Sequence, residues 1–203
     1  VRGGDYIARD YDIEPDVSAA CYFYALAAAT GKWAMVKRMR KESLQGDMKF
    51  ISLLEKMGCT VSWERDGRQN LWLKGPDGKL KGMEVKMSDF SDQALTLAAI
   101  APFADSEVTI KGIAHIRGQE SDRIKVIVDE LAKMGILCNE LPDGVKIHPG
   151  TPKNTNIETY NDHRVAMSFA VTGLAGDGMT ILNPMCCKKT FAGFFDEIDR
   201  LEE

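Results

Sequence analysis

Three times along this chain an aspartate opens a run of small and apolar residues that is hydrophobic on nearly every side: Asp16 before 17–29, Asp92 before 93–101 and Asp162 before 163–171. A helix without a polar face belongs inside a core, so the fold has to bury three such helices together. The starts lie 76 and then 70 residues apart, at 16, 92 and 162. That spacing belongs to a repeated supersecondary unit.

The segments after each buried helix repeat as well. Short alternating stretches at 33–39, 107–113 and 179–185 read as strands. Each leads to a second helix with a polar face, over 47–58, 121–135 and 190–201, and the first two share the ending Leu-x-Lys-Met-Gly, with Gly58 and Gly135 in place for a left-handed C-terminal cap. Strand pairs then close the first two units, 60–63 with 70–73 and 136–140 with 145–147, with turns expected at Asp66-Gly67 and Asp143-Gly144. The unit is therefore helix–strand–helix–strand–strand, used twice and begun a third time. The expected fold class is α/β (α+β), with three buried helices wrapped by small sheets and outer helices. One domain with pseudo-threefold character spans 15–203, its units falling at about 15–90, 91–160 and 161–203. Residues 1–14 read as a crossover or hinge segment. The opening Val1-Arg2 carries neither an initiator Met nor a signal-peptide pattern, so the start reads as a cut from something larger.

Composition narrows the function classes. At 44% hydrophobic and 28% charged residues the chain has ample apolar surface to fold, and no stretch approaches the roughly 18 apolar residues of a membrane span. A net charge of -4 gives no general reason to bind nucleic acid. Five cysteines without a CxxC pair suit a reducing compartment, and Cys186-Cys187 read as core or loop thiols despite the neighbouring Lys188. The three histidines show no metal-ligand spacing.

The chemistry-bearing residues gather at equivalent ends of the units. Taken singly, Asp16, Asp92 and Asp162 are N-cap residues. Taken together, they aim three helix N-termini, with their free N–H groups, at one anionic ligand. Glu120 and Arg123, the Asp162-His163-Arg164 run and Lys188-Lys189 lie beside these starts. Arg offers a planar fork for carboxylate or phosphate and Lys a compact charge. Asp92, Glu120 and His163 supply proton-transfer groups. These cations predict an electropositive mouth.

Several stretches are specific enough to carry a resemblance: 16–23, Gln45-Gly46-Asp47, Asp92-Gln93-Ala94, Glu120-Ser121-Asp122-Arg123, 160–167 and Lys189-Thr190-Phe191. In this order, and over nearly the whole chain, they resemble the C-terminal half of the 5-enolpyruvylshikimate-3-phosphate synthase family. The resemblance implies an enolpyruvyl transferase-like domain, one of two similar domains with the active site between them. It implies transfer of the enolpyruvyl group of phosphoenolpyruvate to the 5-hydroxyl of shikimate 3-phosphate with release of phosphate, no cofactor and no metal, in a cytoplasmic monomer that binds neither nucleic acid nor membrane. Glyphosate would be its inhibitor, and its partner would be the N-terminal domain of the same enzyme, without which the chain would be inactive. Asp92 then looks like the carboxylate that binds and deprotonates the hydroxyl, and Glu120 like a proton donor or relay. Arg123 and Arg164 look like the phosphoenolpyruvate clamp, Lys189 like a cation for its phosphate, and His163 like a group orienting Glu120 or Arg164. Gln119 and His115 fall at further substrate contacts where members often have Lys and sometimes Asn, and Ala192 replaces a usual Pro. The alternatives are the sister transferase acting on UDP-N-acetylglucosamine and a noncatalytic domain of the same fold.

Overall fold

In a computed structural model, which describes residues 3–4, 6–64 and 69–202, the three apolar runs form helices α1 (Val17–Thr30), α3 (Ala94–Ile100) and α5 (His163–Ala175). They pack on one another at the centre. Alanines on α1 and α3 let the backbones approach closely, and every residue of α3 is buried. The outer helices are α2 (Met48–Lys56), α4 (Arg123–Lys133) and α6 (Phe194–Glu202). α2 and α4 each present one apolar stripe to this core. Phe23 of α1 meets Phe191 and Phe194, which seats the third outer helix.

Three small sheets surround the helices. The first has order β1-β3-β2, from Trp33–Val36, Leu71–Lys74 and Thr60–Trp63. The second has order β4-β5-β7-β6, from Glu84–Lys86, Val108–Lys111, Gly144–Ile147 and Cys138–Leu141. The third pairs β8 (Asn156–Ile157) with β9 (Thr180–Ile181). β4 and β8 extend the expected unit. Each precedes a buried helix and pairs in parallel with the strand that comes after it, making a β–α–β element. At three and two residues they are too short for periodicity to reveal.

Other expectations are trimmed by local backbone. The 33–39 strand ends at Val36 because Arg38 turns left-handed (φ 61°), its N–H donating to Asn70 Oδ1. The 179–185 strand stops at Ile181, since Asn183 is left-handed and Pro184 opens a 3-10 turn over Pro184–Lys189. Gly58 and Gly135 do take positive φ behind α2 and α4. The second hairpin turns one residue earlier than expected. Leu141 pairs with Gly144, leaving Pro142-Asp143 as the turn. Asp66-Gly67 lies outside the described residues. Residues 6–15 have no regular secondary structure, Tyr6, Ile7, Tyr11 and Ile13 are exposed, and Asp12 pairs with Arg38 and Arg40.

Candidate active site

Two of the three aspartates cap as expected. The Asp16 carboxylate accepts from the N–H groups of Ser18 and Ala19, and that of Asp162 from Arg164 N–H at 2.9 Å. Asp92 caps nothing. It sits inside a 3-10 turn, Ser91–Gln93, ahead of α3, and its Oδ2 accepts from Arg164 Nη2 at 2.8 Å. The capping potential of that helix start is replaced by an ion pair.

Asp162 does more than cap. It is fully buried, and its carboxylate also accepts from Ser121 Oγ at 3.0 Å and from Arg123 through Nε at 2.8 Å and Nη2 at 3.2 Å. Burial pushes this carboxyl up. The guanidinium bonds and charge of Arg123, with the Arg164 N–H and the Ser121 hydroxyl, outweigh burial and hold it below its usual range. Arg123, the first residue of α4, is only 2% exposed. It donates further to Glu120 Oε2 at 2.9 Å and to Gln119 Oε1, and stands 3.5 Å from Asp92 Oδ1. Asp92 thus bridges both arginines.

Glu120, Lys189 and His163 complete the mouth. Lys189 Nζ lies 3.6 Å from Glu120 Oε1. The Glu120 carboxyl is held low by its own backbone N–H and then by Arg123. His163 is buried, with Nδ1 3.8 Å from Glu120 and without a hydrogen-bond partner. Burial lowers its pKa, so its ring is neutral at pH 7. The buried Tyr22 hydroxyl makes no hydrogen bond among the described residues, and Asp47 adds its charge to the surroundings of Arg164. Asp47 also accepts from Ser18 Oγ and from Gln93 Nε2 at 2.7 Å, tying the first turn of α1 to the start of α3.

These side chains line one open cavity of about 410 Å³, formed by Asp92, Gln119, Glu120, Arg123, His163, Arg164, Lys189 and Thr190. Seven of the eight sequence-predicted residues therefore meet. His115 stands apart from this lining, at the neighbouring rim, its Nε2 2.8 Å from Ser91 Oγ. The lining carries three cations, Arg123, Arg164 and Lys189, against two carboxylates, Asp92 and Glu120, with Asp162 buried against Arg123 behind it. The sequence reading missed Asp162 and Ser121 as partners of Arg123. The available signal was Arg123 itself, a charge at the first turn of a helix whose apolar stripe faces the core. A larger groove of about 700 Å³, between the far ends of α1 and α5, is lined mainly by apolar residues and Lys32 and holds no carboxylate. Among the described residues no cluster of His, Cys, Asp and Glu is arranged to hold a metal, and no helix is long and apolar enough to cross a membrane.

A family model described as EPSP synthase (3-phosphoshikimate 1-carboxyvinyltransferase) matches residues 1–198. The chain belongs to the EPSP synthase family. It is 46% identical over 201 residues to a 3-phosphoshikimate 1-carboxyvinyltransferase of Nostoc punctiforme, covering 99% of this chain and 46% of that protein. A protein of the same name from Proteus mirabilis is 41% identical, covering 98% of this chain and 46% of its own length. The chain spans about half the length of these curated relatives. Among solved structures, an EPSP synthase from Acinetobacter baumannii superposes with a TM-score of 0.82 at 28% identity, over 98% of this chain and 48% of that one. The enolpyruvyl transferase NikO from Streptomyces tendae shares the fold, with a TM-score of 0.70 at 18% identity over 93% and 43%. In this member of the EPSP synthase family, Gln119 serves as a neutral acceptor for Arg123, a bond that a Lys in its place could not make.

Proposed function

We propose that this chain supplies one half of the active site of a 3-phosphoshikimate 1-carboxyvinyltransferase, the other half coming from the part of the relatives' length that it does not span. The single observation carrying this reading is that Asp92, Glu120, Arg123, Arg164 and Lys189 converge on one open cavity although they come from different units of the repeat. The relatives' shared name supports shikimate 3-phosphate over a UDP sugar as the acceptor.

The reaction needs an anion clamp and two proton transfers. Phosphoenolpyruvate brings a carboxylate and a phosphate, which the forks of Arg123 and Arg164 and the point charge of Lys189 are suited to hold. Asp92 takes the proton of the acceptor hydroxyl as its oxygen attacks C2 of the enol, while the methylene carbon gains a proton. The tetrahedral adduct then loses that proton again, expelling phosphate and restoring the double bond. Glu120 and Lys189 are the proton carriers on the methylene side. Glu120 is held as a carboxylate by its own backbone N–H and by the charge of Arg123. A substrate anion that engages Arg123 withdraws that support, raises the Glu120 pKa and readies it to deliver a proton. His163 orients Glu120, and Gln119 and His115 contact substrate at the rim. The working protein is a cytoplasmic monomer completed by its own second domain, and its five free thiols fit that compartment.

Phosphate release tests this, measured with and without an added N-terminal half. Turnover should appear only in the completed protein, and Asp92→Ala should lower its kcat by about 10²–10⁴-fold. Turnover by the chain alone would sink the half-site reading, and an inert completed protein would sink the activity itself.

A further inference from the structure

Directly ahead of Asp162 stand two consecutive non-glycine residues in left-handed backbone, Tyr160 (φ 52°) and Asn161 (φ 56°). Side chains with a Cβ disfavour that region, and two in a row persist only where the surroundings hold them. The holder lies on α4. Glu130 is fully buried; its Oε1 accepts from Tyr160 Oη at 2.8 Å and from Lys133 Nζ at 2.7 Å, and its Oε2 accepts from the backbone N–H of Glu158 at 3.3 Å. Arg123 sits seven residues earlier on the same helix, two turns away and on the same face. It grips Asp162. One rigid helix therefore clamps the 158–162 segment at both ends, and the left-handed turn lies between the clamps.

We propose that Glu130 is a positioning residue for the site. It does not line the cavity. By fixing the Tyr160–Asn161 turn it sets where α5 begins, and so where Asp162, His163 and Arg164 stand relative to Arg123 and Asp92. Burying this carboxylate carries a desolvation cost that the Lys133 ion pair offsets in part, and its remaining two bonds both go to the 158–160 segment. Its bonds make sense as the fastening of a strained turn whose next three residues enter the site. The identity of the bound ligand rests on the function proposed above; the positioning itself does not.

Two variants and two readouts test this. Tyr160→Phe removes one hydroxyl and Glu130→Gln keeps shape while removing charge. Lys125→Met, which breaks a surface pair with Asp129 on the same helix, is the control. In nuclear magnetic resonance spectra of this chain, both variants should shift the backbone amides of Asp162, His163 and Arg164, and the control should leave them in place. In the completed enzyme, each should raise KM for phosphoenolpyruvate about tenfold with kcat changed less than about threefold, because the clamp is displaced while the reacting groups remain. The double variant should be no worse than the poorer single one, as expected of residues acting through one bond. Unmoved amides at 162–164, or a lowered melting temperature with KM within about twofold of wild type, would overturn the proposal. If the completed wild type shows no turnover, the proposed activity fails and the amide shifts alone decide the positioning role. Should Glu130→Gln not fold, Tyr160→Phe carries both readouts.

Discussion

Asp162→Ala probes the site at its deepest point. The carboxylate is fully buried beneath an arginine that is itself 2% exposed, and the two share bonds of 2.8 and 3.2 Å. Removing one partner of a buried pair costs about 3–5 kcal/mol, because the surviving charge stays out of water. Glu120 at 2.9 Å and Asp92 at 3.5 Å still face Arg123, which places the loss near the lower bound, about 3 kcal/mol. The same substitution removes the cap on Arg164 N–H, worth about 1 kcal/mol. Urea unfolding followed by circular dichroism should therefore show a midpoint lower by about 2 M, taking a slope of about 2 kcal/mol/M. Adding Arg123→Met should recover most of the loss, since an apolar side chain no longer needs a counter-charge. A pH series supplies an independent check. The Asp162 pKa is lowered below 3.8 in the folded chain, so its contribution is fully present above the unfolded value and disappears as pH falls through the folded one. The gap between wild type and variant should narrow on acidification below that range. A loss under about 1 kcal/mol, or a double variant as unstable as the single, would show that Arg123 is held by something else and refute the account.

Two further outcomes concern the frame. A Cβ on Gly144 would lie 1.8 Å from the carbonyl oxygen of Ile110, so Gly144→Ala should force β5 and β7 apart, costing about 3 kcal/mol and lowering the melting temperature by about 8 °C; an unchanged melting curve would show that the sheet yields freely. Burial and then the Cys186 neighbour push the Cys187 thiol up to about 12, so iodoacetamide at pH 8 should leave it unmodified in the folded chain and label it in urea. Rapid native labelling at Cys187 would contradict that burial.

Much of this fold could be read along the chain because its rules are local. Three buried helices come from apolar runs with no polar face, two caps from Asp16 and Asp162, and two helix ends from Gly58 and Gly135. β4 and β8 escaped because two or three residues carry no period, and they become strands only where β5 and β9 offer free edges. Asp92 misled for a related reason. Its sequence setting matches that of the two capping aspartates, yet the guanidinium that claims it belongs to Arg164, 72 residues away.

Read along its length, the chain already dictates a repeated unit, the helices that lie inside, and the charged residues that stand at their starts. Hydrophobic period and capping act over a few residues, so they are visible without coordinates. Which cation meets which carboxylate was settled only by tertiary packing. Arg123 reaches Asp162 across 39 residues of chain, Asp92 stands between two arginines instead of capping its helix, and Glu130 reaches across to the turn before Asp162. Such pairings arise from how the units pack around their shared centre. Buried charges settle on whatever counter-charge that packing brings within reach, because leaving one unpaired costs more than bending the local pattern.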